Sequence, residues 1–288
     1  MYRVARKCLL LSLVVLSACS STTFVYNRLD FILPWYLDDY TELNREQEKY
    51  LDELLSPFLA WHRVDELPRY VVILSEIEAS LDQPLVAEDV ATISEQIQDS
   101  WFRLEGEALD WLLDLGTRLS QEQVESFLAE LQEQQREYEE KYLTRTNQAF
   151  HEDSYDSLVD TMQDYMGRLD TEQRELLRTT SARLIRSDRT WLTEREAWLQ
   201  KLEVIMQRAP GWHLAIRQAI AERDDNVSPE YLRIYEHNLR LVYAAVAELL
   251  NSRSQKQDKR LRKTLADLKE DLQTLILQGN SVAIDKAA

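Results

Sequence analysis

Cys19 closes the tetrapeptide Leu16-Ser17-Ala18-Cys19, and its sulfur is the side chain here with the clearest chemistry. Arg3, Arg6 and Lys7 precede a short apolar run, Cys8 to Leu16, and small residues lead into the cysteine. That is the layout of a secretory signal ending in a lipobox. The thiolate takes up diacylglycerol, the bond before it is cut, and acyl chains hold the product at a bilayer at about 0.8 kcal/mol per buried CH₂. The run is too short to cross a membrane, which takes about 20 apolar residues. Residues 1–18 are thus expected to be removed, Cys19 to be lipidated, and 19–23 to form a tether. Its four residues Ser20 to Thr23 reach at most about 14 Å.

Other reactive groups are sparse or scattered. The two cysteines are Cys8 and Cys19, so cleavage and acylation leave neither a disulfide nor a free thiol. His62, His151, His213 and His237 stand apart; a lone helical histidine such as His62 is first a hydrogen-bonded structural residue. His151-Glu152-Asp153 offers three ligand types, but consecutive helical residues point apart. The five glycines lie far from one another, so no phosphate-cradling loop or dinucleotide fingerprint is present. Neither HExxH nor GxSxG occurs. No catalytic residue, metal site or cofactor is expected, and the chain reads as a non-enzyme.

The formal charge is −17, from 34 Lys and Arg against 51 Asp and Glu. Removing residues 1–18 takes three cations and no acid, leaving 31 − 51 = −20. Such a surface repels nucleic acid and anionic headgroups. Few glycines and prolines beside many Leu, Glu, Gln and Arg argue for helix throughout. The expected fold is all-α, an elongated antiparallel bundle of long helices. It forms one periplasmic domain over 24–278, followed by a flexible tail over 279–288.

Three helix starts share one pattern: Leu43-Asn44-Arg45-Glu46-Gln47, Leu119-Ser120-Gln121-Glu122-Gln123 and Leu169-Asp170-Thr171-Glu172-Gln173. Asn44, Ser120 and Asp170 are N-caps, and the glutamine three residues on completes a capping box. Ser228, before Pro229, is a fourth N-cap. The spacing is unequal, which excludes a regular solenoid. Helices are expected from Asn44 to Trp61 with a kink at Pro57, from Leu67 towards Leu81, and from Ala87 to Leu115. The last carries Ile93, Ile97, Trp101, Leu104, Ala108, Trp111 and Leu115 as a stripe at three-to-four spacing. Ser120 is expected to open a helix reaching Phe150. Asp170 opens one running past Ile205 to Pro210-Gly211, with Leu177, Leu184, Trp191, Trp198 and Ile205 in coiled-coil-like spacing. Lys256 to Leu277 forms the last helix. Its basic start, Lys256, Lys259, Arg260, Arg262 and Lys263, is expected to match acidic neighbours.

Phe24 to Tyr40 is rich in aromatic residues, and Pro34 is expected to divide it into two helical pieces. Interfaces favour aromatic and arginine anchors, so Arg28, Asp30, Trp35, Tyr36, Trp61 and Arg63 are the candidate partner-binding residues.

Tyr26-Asn27-Arg28-Leu29-Asp30, Trp35-Tyr36-Leu37-Asp38-Asp39-Tyr40, Trp61-His62-Arg63 and Glu66-Leu67-Pro68-Arg69-Tyr70 together resemble an uncharacterised family of proteobacterial lipoproteins, a domain of unknown function. The resemblance implies an all-helical envelope lipoprotein and supplies no activity. The capped starts are similar, more weakly, to the Leu-Thr-x-x-Gln motif of Spy/CpxP-type periplasmic proteins, which implies a helical cradle for polypeptides. Ser20, in place of the aspartate that retains lipoproteins at the inner membrane, implies by the same kind of resemblance the periplasmic face of the outer membrane. The leading expectation is therefore a lipid-anchored, non-enzymatic binding or chaperone-like module with envelope proteins as partners. The alternatives are a cell-wall hydrolase or its activator, and a structural subunit of an envelope complex. The lipobox makes one direct prediction. Radiolabelled palmitate fed to cells should label this chain, and Cys19→Ser should abolish the label and leave residues 1–18 attached; label retained by the variant would refute acylation at Cys19.

Overall fold

The computed structural model describes residues 21–287, with side chains over 22–279; the lipobox and Cys19 lie outside them. Among the described residues there is no strand. Two short helices open the chain, α1 (Ser21–Tyr26) and α2 (Leu29–Asp38). Then come α3 (Arg45–Trp61), a π-helical turn (His62–Glu66), α4 (Leu67–Ser80), α5 (Ala87–Arg118) and α6 (Gln121–Leu143). The second part holds α7 (Asn147–Met166), α8 (Thr171–Arg183), α9 (Asp188–Ile205), α10 (Trp212–Ala221), α11 (Pro229–Asn251) and α12 (Gln255–Ala287). The chain is an all-α helical bundle with several long helices.

Asn44, Ser120, Asp170 and Ser228 all cap, each side-chain oxygen accepting a backbone N–H of its helix's first turn. The N3 glutamines do more than reach back to their own caps. Gln47 Oε1 accepts the Asn44 N–H at 2.9 Å, and Gln47 Nε2 donates to Arg118 O at 2.7 Å. Gln123 Oε1 accepts the Ser120 N–H at 2.8 Å, and its Nε2 donates to Glu42 O at 2.6 Å. The two amides also bond each other face to face, Nε2 to Oε1 both ways at 2.8 Å. Each amide thus has two donors and two acceptors engaged, the full capacity of a glutamine.

A second joint repeats the first. Gln173 pairs with Gln257 in both directions, at 3.1 and 2.8 Å. Their Oε1 atoms accept the N–H groups of Asp170 and Ser254. Their Nε2 atoms donate to Ser252 Oγ and Arg168 O. Ser254 is therefore a further capping box, its hydroxyl accepting the Gln257 N–H at 3.3 Å.

The repetition extends to the packing. α3 packs on α5 as α8 packs on α11, and α5 and α11 pack on each other. α12 lies along α4 of the first part, while α6 lies along α9 of the second. The chain thus consists of two like halves whose last helices are exchanged. Leu51 and Leu177 stand at the same offset from Asn44 and Asp170, and both are fully buried. Leu115 and Leu249 stand at the same offset before Ser120 and Ser254, and both are buried.

Several expected boundaries move. Pro34 does not divide the aromatic stretch but sits inside α2; the break falls at Asn27-Arg28, where Arg28 leaves helical geometry at ψ 10°. The helix from Ser120 stops at Leu143, because Thr146 caps a new helix through the Ala149 N–H. The helix from Asp170 breaks after Arg183, because the Asn238 amide takes both the N–H and the carbonyl of Ile185 at 2.9 and 2.8 Å. The heptad row from Leu177 to Ile205 is therefore split between α8 and α9. The tether expected over 19–23 is shortened: α1 begins at Ser21, and Thr22 is buried against α12 beside Asp271. The tail expected from Gly279 is helix to Ala287; no proline follows, and one helical glycine costs only about 1 kcal/mol. The basic start of α12 is matched internally, with Arg262 on Asp258 and Asp82 and Lys263 on Asp267.

The joints predict their own energetics. Gln47→Ala strips the Arg118 carbonyl and the Asn44 N–H of their partners and should destabilise the fold by about 3 kcal/mol. Gln148→Ala, on an exposed face, should cost under about 0.5 kcal/mol. A double-mutant cycle with Gln123→Ala, read by urea unfolding, should give a coupling of about 1 kcal/mol or more. Additive effects would show that the pair does not act as a unit.

Candidate functional site

The most chemically dense part of the molecule is the π-helical turn. Pro68, in the first turn of α4, has no N–H to close an α-turn onto Val64. The Leu67 N–H instead reaches back to His62 O, one residue further than in an α-helix. π-Turns of this kind often mark functional positions. Here the turn directs Glu66 into the interior, where it is fully buried. Its carboxylate receives Arg103 Nε at 3.0 Å on both oxygens and Arg103 Nη2 on one. Arg69 Nε stands 3.9 Å away. Arg103 also donates to Ser100 Oγ at 2.9 Å.

Above this pair lies His62. The Tyr26 hydroxyl is 2.7 Å from its Nδ1 and the Tyr70 hydroxyl 3.4 Å from its Nε2. The Tyr26 ring stacks on the imidazole at 5.6 Å between centroids. Arg63 lies 5.1 Å over the Tyr26 ring and donates to Asn27 Oδ1 at 2.9 Å. Burial pulls the His62 pKa down to about 4; nearby Glu66 opposes this and Arg63 adds to it. Burial lifts Tyr26 to about 12, with Arg63 drawing it back. Tyr70 is raised too, by burial and then by Glu66. At neutral pH the imidazole is therefore neutral and both phenols keep their protons. A general base works best with a pKa near the operating pH, and His62 sits well below it. What this constellation does is tie α1 to α3, α4 and α5.

The six residues singled out from sequence divide accordingly. Arg63 belongs to the packed turn, and Trp61 is half-buried against Phe58 and His62. Tyr36 is half-buried, its hydroxyl 3.1 Å from that of Tyr40. Arg28, Asp30 and Trp35 are exposed on α1–α2. Arg28 covers the Phe24 ring at 4.9 Å. With them stand Phe24, Phe31 and Trp35, exposed by 60%, 73% and 64%.

A second apolar surface escapes sequence reasoning because its residues read as core. Within the expected stripe of α5, Leu115 is buried, but Ile97 and Trp101 are exposed by 55% and 42%. Ile97 stands eighteen residues before Leu115, five full turns, so the two share one side of α5; Leu115 is covered by Leu51 and Leu55, and Ile97 is not. α11 packs on α5, with the Tyr243 hydroxyl donating to Ser94 Oγ at 2.9 Å. Two turns back from that contact, the antiparallel register brings Tyr235 level with Trp101 and Phe102. Tyr235 and Leu232 are exposed as well, and the Tyr231 ring stacks on Tyr235 at 6.0 Å.

A polar cleft of about 330 Å³ lies between α6 and α9, walled by Gln132, Gln135, Arg136, Glu139, Glu196 and Glu203. Behind it Arg195 is buried, its Nη1 on Gln135 Oε1 at 2.5 Å and its Nε without a hydrogen-bond partner. Elsewhere His151 Nδ1–H donates to Ser181 O at 2.7 Å, and Asp153 is held by Arg145 at 2.8 Å. Among the described residues no three His, Cys, Asp or Glu side chains come together as a metal site.

These features define an all-helical protein of two interlocked halves with apolar surfaces left open. The chain belongs to a family of unknown function, DUF6279, whose pattern matches residues 39–232. That span holds the first glutamine joint whole and the π-turn; α1, α2 and α12 fall outside it. No curated protein and no solved structure matches the chain.

The His62 environment has a pH signature. A histidine whose pKa falls on folding, from 6.5 to about 4, stabilises the native state fully above pH 6.5. That stability is lost as pH falls towards 4, because the unfolded chain binds the proton first. The loss should total about 3 kcal/mol. Urea unfolding of wild type and His62→Gln across this window should show the wild-type curve falling and the difference between the two shrinking. Parallel curves would mean that His62 is not buried neutral.

Proposed function

We propose that this protein is a lipid-anchored, non-enzymatic binding module at the periplasmic face of the outer membrane, and that it holds apolar segments of partner polypeptides. The observation that carries this reading is the exposure of Ile97 and Trp101 on α5 together with Leu232 and Tyr235 on α11, the helix packed against it. Contiguous exposed apolar side chains on an otherwise charged monomer mark interaction sites. Aromatic residues flanked by aliphatic ones are the usual anchors of such sites. The acidic surroundings, at −17 overall, favour segments that carry lysine or arginine beside their apolar residues. The lipobox ending at Cys19 supports the anchor. No helix among the described residues is long and apolar enough to cross a membrane.

The test uses the lipid-free chain beginning at Ser20 and a reduced, aggregating client protein. Wild type should delay aggregation in proportion to its concentration. The double variant Trp101→Glu/Tyr235→Glu should bind the client at least ~10-fold more weakly, the equivalent of ~1.4 kcal/mol, while keeping its helical circular dichroism. A wild-type chain that delays nothing, or a variant that works equally well, would remove the basis for this function.

A further inference from the structure

We propose that the exposed face of α1–α2, formed by Phe24, Arg28, Phe31 and Trp35, lies in the headgroup region of the bilayer that holds the acylated cysteine. This rests on the lipid anchor at Cys19 put forward above, and it gives the N-terminal aromatic face one occupant, a lipid surface.

One residue, Ser20, stands between Cys19 and the start of α1. Two residues of extended chain span about 7 Å, and Phe24 follows within the first turn of α1. The helix cannot swing away on a longer leash, because it is fixed to the body. Thr22 is buried, Thr23 Oγ1 donates to Asp271 at 3.4 Å, and Tyr26 is bound to His62. Whatever surrounds Phe24 is therefore pressed close to the plane in which the acyl chains enter.

α2 reads Leu-Asp-Phe-Ile-Leu-Pro-Trp-Tyr-Leu-Asp, yet none of its ten residues is buried. Leu33 and Leu37, one turn apart, pack on the cluster of Leu51, Leu55 and Leu115. Phe31 and Trp35, also one turn apart, fall about 200° away from them around the helix and face outward. α1 behaves alike: Thr22 and Tyr26 face in, and Phe24 faces out. An apolar helix that fills its inner side and still presents Phe and Trp on the other is the form of an interfacial helix. Tryptophan favours the level of the headgroups, and an arginine above an aromatic ring can extend its charge into the phosphate layer. Asp38 and Asp39 sit at the far end of α2, past the aromatic row, and Asp30 is exposed in its first turn, between Arg28 and Phe31.

The full-length, lipidated protein purified from membranes is reconstituted into vesicles of phosphatidylethanolamine and phosphatidylglycerol with brominated acyl chains. Bromine quenches tryptophan only at close range, and the chain has seven tryptophans. Wild type should show a quenched component, and Trp35→Phe should lose most of it. Phe31→Trp should add a further quenched component, a gain that a misfolded variant would not give. An acylated chain in which neither Trp35 nor the indole introduced by Phe31→Trp is quenched overturns the inference, as does crosslinking of position 35 to protein in place of lipid. Mass spectrometry of Cys19 separates the two readings. A chain without acylation refutes the anchor, and with it this placement; an acylated chain without quenching refutes this placement alone.

Discussion

A glutamine amide drawn into a fold is costly unless its hydrogen-bonding positions are used, and this fold depends on two pairs of such amides, with Gln47, Gln173 and Gln257 buried and Gln123 half-buried. Each amide satisfies its own helix start, the carbonyl or hydroxyl of the opposite loop, and its partner amide. Three tasks on one side chain fix three distances at once. The starts of α3 and α6 are locked together, and so are those of α8 and α12. With these ends pinned, the long helices can diverge only in the directions their apolar faces permit. That geometry sends α12 along α4 and α6 along α9. The exchange of last helices follows from joints that pair helix starts far apart in sequence.

The π-turn adds a constraint of a different kind. A buried Glu66 without its guanidinium would be strongly destabilising, so Arg103 holds α5 in one rotation about its axis. That rotation places Ser100 inside, with Arg103 reaching in beside it. The same turn presents His62 to Tyr26, and so decides where α1 and the aromatic face beyond it are held.

Much of this is legible in the residues. Asn44, Ser120 and Asp170 mark three helix starts because cap and N3 glutamine obey a local rule. The joint at Ser254 is harder to see because Arg253 and Lys256 stand where the other three starts have leucine and glutamate. Those two positions are not part of the hydrogen-bonding device. Nor can local rules show that the glutamines meet, since the partners are 76 and 84 residues apart. The breaks after Leu143 and Arg183 escape for a related reason. Apolar periodicity continues through both, and Asn238, which stops α8, acts from another helix. The α5 stripe reads as core because its period is that of a core face. Which part of a long stripe is covered depends on what packs against it: Leu115 meets Leu51 and Leu55, while Ile97, on the same side five turns away, stays exposed.

The spatial relation between the two open surfaces follows from α5. Its buried end, at Leu115, shares a cluster with Leu33 and Leu37 of α2. Trp101 lies fourteen residues back along the same helix, which at 1.5 Å each is about 20 Å. Between them the stripe continues through the half-buried Leu104 and Ala108. A helix end seated on the aromatic N-terminal segment and a crossing point about 20 Å along it are rigidly linked, because α5 has no proline between them. With α1–α2 at the bilayer, α5 would carry the α5–α11 surface at a fixed distance from the anchor. On that proposal, a short tether and a stiff helix would do together what a long flexible linker cannot, holding one surface at the membrane and the other at a set position for a partner.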